Sequence, residues 1–307
     1  MNNRLMLAAM LVVALMLAAC GGTPGGTGGT GTSPTEDAGT PDTGSPGPTD
    51  AGASPGDTGN GGDGGNAVAA IQDEGTLVCG VKYDVFAFGL LDPATNEVEG
   101  FDADLCREIA TALDVEPEFV EAVSANRIPF LQEDQVDLII STMTINDERR
   151  QEIDFSVPYY IAGQSLLVMA DDESITSLDD LAGKTVCSAE GSTSEQNIRD
   201  MAPEAELSLF QTYTEAAQAL VDGRCDAVST DDVILFGLAN QFEGTELRGE
   251  PFTTEEYGIG IKKGKEDLVE FVNGVLTDMG ESGRWAELYQ EHIAEFTGET
   301  PDPPFAE

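Results

Sequence analysis

Hydroxyl and cationic side chains cluster where apolar, strand-like runs of this sequence end. The clusters are Lys82-Tyr83, Ser124-Ala125-Asn126-Arg127, Ser141-Thr142-Met143-Thr144 through Arg149, Gly191-Ser192-Thr193-Ser194 and Thr230-Asp231. Backbone N–H groups at a helix start can hold a carboxylate, so the glycine-serine-threonine turn predicts anion binding as well as an N-cap. Residues 67–307 contain only 13 basic residues, because Arg4 precedes them, and three of these fall at strand ends. Carboxylate binding is therefore the chemistry that these positions favour.

Each cluster also has a purely structural interpretation. Asp231 could simply cap the helix that follows it. Arg149 and Arg150 could be surface charges, and Lys82 could pair with one of the many acids of the chain. These alternatives stay open at the level of the residues alone.

Alternating strand and helix patterns must position the clusters. Phe101, Leu105, Ile109 and Leu113 recur at helical spacing. Strands are predicted at 76–81, 118–120, 136–140, 164–169, 184–188, 207–210, 227–230 and 257–261, and further helices at 192–201, 213–222, 231–240, 266–279 and 283–296. The alternation predicts α/β architecture with parallel sheets and helices on both faces. In such sheets ligands bind beyond the carboxyl ends of the strands.

The overall charge excludes several classes of protein. The chain has 57 acidic and 14 basic residues and a formal net charge of -43. Nucleic acids and anionic membranes bind basic surfaces, so we expect no nucleic-acid partner. The single histidine, His292, lies in a terminal helical stretch, which makes a Ser-His-Asp catalytic centre and a histidine-ligated metal improbable. We expect no catalytic residue, metal or cofactor.

The first 66 residues differ from the rest in composition. Residues 1–20 combine Arg4, an apolar run and Leu17-Ala18-Ala19-Cys20, which is typical of an export signal. The tetrad resembles the lipobox of bacterial lipoproteins, in which Cys20 would be lipidated; an ordinary signal peptide is the alternative. Residues 21–66 are rich in Gly, Pro and Thr and contain no aromatic residue, so they are predicted to be a disordered tether.

Four cysteines follow Cys20, namely Cys79, Cys106, Cys187 and Cys225. An even number in an exported protein predicts two disulfides, with three possible pairings. Zinc binding is the competing interpretation. It is disfavoured because no two of these cysteines are close in the sequence and no histidine is near them.

Several longer motifs resemble the family 3 extracellular solute-binding proteins, the polar amino-acid receptors of ABC importers. They are Gly100-Phe101-Asp102-Ala103-Asp104-Leu105, Val136-Asp137-Leu138-Ile139-Ile140, Thr142-Met143-Thr144-Ile145-Asn146-Asp147-Glu148-Arg149 and Ile153-Asp154-Phe155-Ser156-Val157-Pro158-Tyr159-Tyr160. The resemblance extends from about residue 70 to about 297. The glutamate/aspartate receptors are resembled through Gly80-Val81-Lys82-Tyr83-Asp84, Ser124-Ala125-Asn126-Arg127 and Glu256-Tyr257-Gly258-Ile259.

The resemblance implies a ligand-binding set and a role for most of its members. Arg149, Thr144 and Thr193 would hold the α-carboxylate, while Thr142 and Asp231 would hold the α-ammonium. Lys82 and Arg127 would meet a side-chain carboxylate. The full set is Lys82, Arg127, Thr142, Thr144, Arg149, Ser192, Thr193, Asp231 and Tyr257. Its three cations and one anion sum to +2, which suits a ligand of charge -1; Glu190 would lower that balance if it faced the cleft.

The resemblance also implies a bilobed type II periplasmic-binding-protein fold with a two-crossing hinge. Residues 67–169 and 256–307 are expected to form lobe 1 and residues 170–255 lobe 2, with crossings near Ala170 and Glu255. In this arrangement the strands that carry Cys187 and Cys225 would lie side by side. The predicted disulfides are therefore Cys79–Cys106 and Cys187–Cys225.

The sequence thus predicts a non-catalytic, monomeric receptor that delivers glutamate or aspartate to a membrane permease. It would be exported and held by lipid at the outer face of the cell membrane. A glutamine or other polar amino-acid receptor, a cyclohexadienyl dehydratase-like enzyme and a ligand-sensing domain are the alternatives. The acidic surface should repel an anionic ligand at low salt, and salt screens this repulsion. We therefore expect a halophilic or salt-tolerant source.

Overall fold

Residues 66–305 are described by a computed structural model of the chain. The predicted signal peptide at 1–20, the lipidation candidate Cys20 and residues 21–65 of the predicted tether lie outside these residues. In the described part, no helix has the length and apolar character needed to cross a membrane.

Residues 66–305 contain thirteen strands. They are β1 (Thr76–Val81), β2 (Asp84–Val85), β3 (Gly89–Leu91), β4 (Val98–Glu99), β5 (Glu116–Glu121), β6 (Leu138–Ile139), β7 (Ile153–Ala162), β8 (Gln164–Met169), β9 (Thr185–Ala189), β10 (Glu206–Phe210), β11 (Ala227–Asp231), β12 (Thr245–Arg248) and β13 (Glu255–Lys262).

Ten α-helices accompany the strands in residues 66–305. They are α1 (Ala67–Glu74), α2 (Phe101–Leu113), α3 (Arg127–Gln132), α4 (Arg149–Glu152), α5 (Thr193–Met201), α6 (Tyr213–Val221), α7 (Asp232–Gln241), α8 (Glu266–Ser282), α9 (Arg284–His292) and α10 (Ala294–Thr297). A 3-10 helix spans Leu178–Leu181.

Local sequence accounts for the long helices. In α2, Phe101, Leu105, Ile109 and Leu113 form one buried apolar stripe, and acidic residues occupy the first turn, where they complement the helix dipole. Helix α6 begins with a capping box in which Thr212 accepts the N–H of Glu215 at 3.2 Å and the Glu215 carboxylate accepts the N–H of Thr212 at 3.3 Å.

Two five-stranded sheets form the centres of the two lobes. Lobe 1 contains the order β5-β1-β6-β13-β7, and lobe 2 contains β10-β9-β11-β8-β12. The expectation of parallel sheets is wrong in part, because β13 is antiparallel to β6 and β7, and β8 is antiparallel to β11 and β12. Strands β8 and β13 follow the two crossings and enter each sheet against its direction. A small sheet, β2-β3-β4, extends lobe 1.

The first crossing lies at Gly163 and not near Ala170. Strand β8 was expected in lobe 1, but its hydrogen bonds to β11 and β12 place 164–169 in the lobe 2 sheet. The backbone carbonyl of Gln164 accepts the N–H of Phe252 at 2.9 Å, so the two crossings are bonded to each other. A side chain at Gly163 would come within 2.5 Å of the Pro251 Cβ, and this explains the glycine between two strands.

The two predicted disulfides are present. Cys79 in β1 is bonded to Cys106 in α2, with the Cα atoms 6.4 Å apart, and Cys187 in β9 is bonded to Cys225, with the Cα atoms 6.0 Å apart. The first bond fastens β1 to α2, and the second fastens β9 to the turn between α6 and β11. Three of these cysteines are fully buried and Cys225 is nearly so.

The disulfide that joins β1 to α2 should stabilise the fold strongly. Removing it in the double variant Cys79→Ala/Cys106→Ala is expected to lower the free energy of unfolding by about 2–4 kcal/mol, because the unfolded chain regains the entropy of an open loop. Denaturant unfolding followed by circular dichroism measures this loss. Thiol titration of denatured, unreduced residues 67–307 should find no free thiol; a reactive thiol would contradict the pairing.

Candidate functional site

Three cationic side chains are buried at strand ends of lobe 1. Lys82 directly follows β1, Arg127 opens α3 and Arg149 opens α4, and their residues are 3%, 2% and 8% exposed. None of the ion pairs among residues 66–305 includes any of them. A buried cation without a carboxylate partner is costly, so this arrangement is one that a bound anion would stabilise.

Backbone carbonyls accept hydrogen bonds from most of the N–H groups of the Arg127 guanidinium. Its nitrogens donate to Ser124 O at 3.1 Å, to Ser141 O and Thr142 O at 3.0 Å each, and to Gly191 O at 3.4 Å. Arg127 therefore joins two strand-end loops of lobe 1 and reaches one loop of lobe 2. Fewer of its N–H groups are left for a ligand than the sequence alone suggests.

Arg149 and Lys82 keep more of their donors. Arg149 donates to Thr144 O at 2.6 Å and to the same Gly191 carbonyl at 3.3 Å. Lys82 Nζ donates to Ser124 Oγ at 3.0 Å and lies 5.7 Å from the centre of the Tyr213 ring. Burial lowers the pKa of Lys82 to about 7, with Arg127 adding to the fall. Burial and the neighbouring Arg127 charge lower the pKa of Arg149 to about 9.

Asp231 is the anionic counterpart in lobe 2. It is the last residue of β11 and is buried, and its Oδ2 accepts the hydroxyl of Tyr257 at 2.5 Å. Its Oδ1 has no hydrogen-bond partner among residues 66–305. Burial raises the pKa of Asp231 to about 7, with the Glu255 carboxylate adding to the rise. An ammonium group would pair with the open oxygen and favour the ionised form.

The loop from Ser141 to Thr144 is held in a specific conformation. Thr142 has a φ of 43°, in the left-handed region, which is unfavourable for a β-branched residue. The Asp102 Oδ2 accepts the N–H of Thr142 at 2.9 Å, and the Asp102 Oδ1 accepts the Tyr159 hydroxyl at 2.8 Å. Asp102 is fully buried, and burial raises its pKa to about 6. It thereby fixes the turn that carries the predicted ligand contacts.

The start of α5 meets this loop from lobe 2. Thr193 Oγ1 lies 3.2 Å from Thr144 Oγ1. The Ser192 hydroxyl is the N-cap of α5, since it accepts the N–H of Glu195 at 3.0 Å and donates to Ala189 O at 2.7 Å. Ser192 therefore orients the helix, while Thr193 and the loop glycine face lobe 1. Glu190 is exposed, which removes it from the buried charges of the cleft.

A second contact between the lobes lies beside Lys82. Asp84 of lobe 1 accepts the backbone N–H groups of Tyr213 and Thr214, at 3.0 and 3.2 Å, at the start of α6 in lobe 2. Phe296 of lobe 1 also packs against Phe236 of lobe 2, with ring centres 6.4 Å apart. The structure is thus a closed arrangement of the two lobes.

All nine predicted ligand residues lie at or beside the contact between the lobes, eight of them buried and Thr193 half-buried. Hydrogen bonds link Arg127 and Arg149 through Gly191, Thr144 with Thr193, and Asp231 with Tyr257. Lys82 meets Tyr213 instead of another member of the set. Whether each contacts a ligand stays a prediction.

Two buried carboxylates were missed as site residues. Asp102 belongs to the Gly-Phe-Asp motif, and an acid in the first turn of a helix is usually interpreted as a group that complements the helix dipole. Glu255 lies directly beside the exposed Glu256, so the sequence does not distinguish it from a surface acid. They change the expected charge balance, because Asp102, Asp231 and Glu255 now stand against three buried cations; a fourth buried carboxylate, Glu195, is ion-paired with Arg199. The sum of +2 therefore applies only to the predicted ligand residues, and counting the other buried carboxylates near the cleft lowers it.

Comparison with known proteins identifies relatives of the whole described body. The family model described as bacterial extracellular solute-binding proteins, family 3, matches residues 77–295. An ABC transporter glutamine-binding protein, GlnH of Bacillus subtilis, is 44% identical over 234 residues, 75% of this chain and 85% of that protein. The glutamate-binding protein GluB of Corynebacterium glutamicum is 35% identical over 246 residues, 76% of this chain and 83% of that protein.

Solved structures give the same result for the fold. An ancestral arginine-binding protein bound to glutamine superimposes with a TM-score of 0.69 at 38% identity, covering 71% of this chain and 98% of that one. With the two mixed sheets and the double crossing, such matches confirm the expected bilobed type II periplasmic-binding-protein fold. The names of these relatives describe amino-acid-binding proteins.

Gly191 offers a test of lobe closure with a matched control. It has a φ of 74°, and an added Cβ would lie 2.8 Å from the Cα of Ala125 in the other lobe; Gly183 has a φ of 72° and open space around it. Gly183→Ala should cost about 1–2 kcal/mol of stability and leave ligand affinity unchanged. Gly191→Ala should cost a similar amount and also weaken binding by about tenfold or more, because closure brings the methyl group against Ala125. Calorimetric titration and thermal melts of both variants measure this; equal affinities would show that Gly191 is not a closure contact.

Proposed function

Since the chain belongs to the bacterial extracellular solute-binding proteins, family 3, and is an amino-acid receptor of an ABC transporter, we propose that its ligand is glutamate or aspartate. The observation that carries the proposal is the group of three buried cations, Lys82, Arg127 and Arg149, without an ion-paired carboxylate among residues 66–305. A ligand with two carboxylates supplies two partners for them.

The α-carboxylate is assigned to Arg149 and the start of α5. Arg149 has a forked guanidinium with donors beyond its two carbonyl contacts, and a fork suits a planar carboxylate. The hydroxyl groups of Thr144 and Thr193 lie 3.2 Å apart, so a carboxylate could accept from both in place of their mutual bond. The N-cap role of Ser192 keeps the free N–H groups of α5 directed at this point.

The α-ammonium is assigned to Asp231, with Thr142 contributing its carbonyl. Asp231 Oδ1 is buried and lacks a partner within residues 66–305, and its other oxygen is held by Tyr257. Tyr257 thus orients the counter-ion, and we give it no direct contact with the ligand. Thr142 O accepts from Arg127, and its second lone pair remains for an ammonium N–H.

Lys82 is the residue that would read the ligand side chain. Its ammonium makes one hydrogen bond, to Ser124, whereas the Arg127 guanidinium is occupied by four carbonyl contacts. We therefore assign the direct contact to Lys82 and give Arg127 a supporting role, in which it holds the loops and adds positive potential. A side-chain carboxylate beside Lys82 would raise the lowered pKa of this lysine.

Glutamine is the second candidate, and two observations favour it. The Bacillus subtilis relative is a glutamine-binding protein at 44% identity. Asp102, Asp231 and Glu255 are also buried, and the buried Glu195 is ion-paired with Arg199, so the buried charges balance without a ligand anion. The pKa of about 7 permits a neutral Lys82, whose amine could accept a hydrogen bond from the side-chain amide of glutamine or donate one to it.

Delivery and anchoring complete the proposal. Closure of the lobes about the crossings at Gly163 and Glu255 would present the loaded form to a membrane permease. Cys20 and the tether would hold the body at the outer face of the membrane by lipid. The excess of 57 acids over 14 bases fits a salt-rich medium, in which the repulsion between the surface and an anionic ligand is screened.

Proton uptake distinguishes the two candidate ligands. At pH 8 most Lys82 side chains are neutral in the unliganded protein, since their pKa is about 7. Glutamate should raise this pKa and take up a proton, so its affinity should fall as pH rises from 7 to 9, by up to about tenfold per unit. Glutamine should show neither effect. Calorimetry in two buffers of different ionisation enthalpy gives the uptake, and the difference between the two ligands isolates Lys82 because the α-ammonium is common to both.

Lys82→Met tests the same assignment by mutation. The variant should bind glutamate at least about 30-fold more weakly, in line with about 2–5 kcal/mol for a buried charge partner, and glutamine within about threefold. Lys263→Met, which removes an exposed lysine from the same lobe, is the control and should change neither affinity. Equal losses for glutamate and glutamine would refute the role of Lys82. Tight binding of arginine without a response to acidic amino acids would refute the proposed ligand.

A further inference from the structure

Glu255 is a buried carboxylate that the proposed ligand contacts do not use. It is the first residue of β13, where the chain returns to lobe 1, and it is 3% exposed. Its Oε1 accepts Asn197 Nδ2 at 2.9 Å, and its Oε2 has no hydrogen-bond partner in the part of the chain that the structure describes. Burying a carboxylate oxygen without a hydrogen bond costs free energy unless a cation or a hydrogen-bond donor binds to it.

The position of Glu255 directs it toward the counter-ion of the cleft. Side chains two residues apart on a strand share a face, so Glu255 lies on the same face of β13 as Tyr257, whose hydroxyl is bonded to Asp231. Glu256 between them is exposed. The Glu255 charge acts on both Asp231 and Arg149, which are the proposed partners of the two ends of an amino-acid backbone.

Two orphaned carboxylate oxygens therefore occur on this side of the cleft, Asp231 Oδ1 and Glu255 Oε2. An ammonium group has three N–H donors and no acceptor. One aspartate oxygen and one backbone carbonyl would satisfy two of these donors, and Glu255 would satisfy the third. We propose that Glu255 is a second carboxylate for the ligand's α-ammonium, acting together with Asp231. The inference rests on the proposed amino-acid ligand and applies equally to glutamate and glutamine.

The hydrogen bonds behind Glu255 suit a positioned recognition group. Asn197 of α5 donates to Glu255 and also to Gln164 Oε1 at 2.7 Å. Gln164 Nε2 donates to Ser194 O at 3.1 Å and to Ser229 Oγ at 2.8 Å. Both crossings are thus joined to the helix whose start is assigned to the α-carboxylate. A ligand ammonium bound to Glu255 would therefore be linked, through Asn197 and Gln164, to both crossings of the hinge. Through α5 it would also be linked to the residues that are assigned to the ligand's α-carboxylate.

Proton binding provides a readout that a purely structural role would not give. Burial raises the pKa of Asp231 to about 7, and Glu255 and Asp232 add to the rise, while Tyr257 and Arg127 oppose it. Arg149, Tyr213 and Tyr160 are further titratable side chains that interact with Asp231. An ammonium lowers the raised pKa, so glutamine binding near pH 6.5 should release protons and the affinity for glutamine should rise from pH 6 to pH 8.

Glu255→Gln tests the assignment, with Glu256→Gln as the matched control on the exposed face of the same strand. Glutamine keeps the acceptor for Asn197 and replaces the orphaned oxygen with an NH2 group. For the purified full-length chain in detergent, we expect Glu255→Gln to weaken binding of both glutamate and glutamine by about 10- to 100-fold, the effect of one charged hydrogen bond. Proton release on glutamine binding at pH 6.5 should fall, because Asp231 loses a neighbouring charge. Glu256→Gln should match the wild type.

Two outcomes would overturn the inference. Unchanged affinity in Glu255→Gln, with a wild-type melting curve, would show that the ligand does not meet this carboxylate. Weakened binding with unchanged proton release would assign Glu255 a structural role through Asn197. If the proposed ligand is wrong, the wild-type chain will bind neither glutamate nor glutamine. If the chain instead prefers glutamine over glutamate, the comparison of Glu255→Gln with Glu256→Gln remains valid, because both ligands carry the α-ammonium.

Discussion

The carbonyl of Gly191 is the contact on which the closed structure depends, because both Arg127 and Arg149 donate to it. Two guanidinium groups of lobe 1 thereby contact one loop of lobe 2, and a hydrogen bond to the same oxygen offsets part of the cost of burying each of them. The glycine is required there, since its left-handed backbone and the nearby Ala125 exclude any side chain. The proposed binding site and the contact between the lobes therefore share the same residues.

Charge is separated within this contact. Cations lie at the strand ends of lobe 1, while Asp231 lies in lobe 2 and Glu255 at the return crossing. A zwitterion has the complementary separation of charge along its own backbone, so it can satisfy both sides only when the lobes meet. Within residues 66–305, every acidic residue except Asp102, Glu195, Asp231 and Glu255 is half-buried or exposed, so the large negative charge of the chain does not describe the cleft. Local geometry thus determines what binds, and overall charge governs the approach through solvent.

Sequence reasoning predicted the elements well where the signal is local. The helix at 101–113, the strand at 76–81 and both disulfides are confirmed, since periodicity and the family motifs specify them. The direction of β8 and β13 was missed because an apolar run has the same pattern in parallel and antiparallel sheets. The crossing was placed seven residues late because β7 and β8 are separated by Gly163 alone. Asp102 and Glu255 were missed because burial of one acid among 57 leaves no trace in composition.

The bonds of Asp84 show that closing the lobes completes a helix. Two N–H groups at the start of α6 receive their acceptor from the opposite lobe, 129 and 130 residues away in the chain. In a separated pair of lobes these groups would be solvated by water, and Asp84 would be as well. Closure of the lobes therefore replaces the hydration of these N–H groups by hydrogen bonds to Asp84, to which the bound ligand contributes nothing. The contribution of these bonds to the free energy of closure is thus the same for every ligand. Selectivity must then come from the few groups that differ between one cargo and the next.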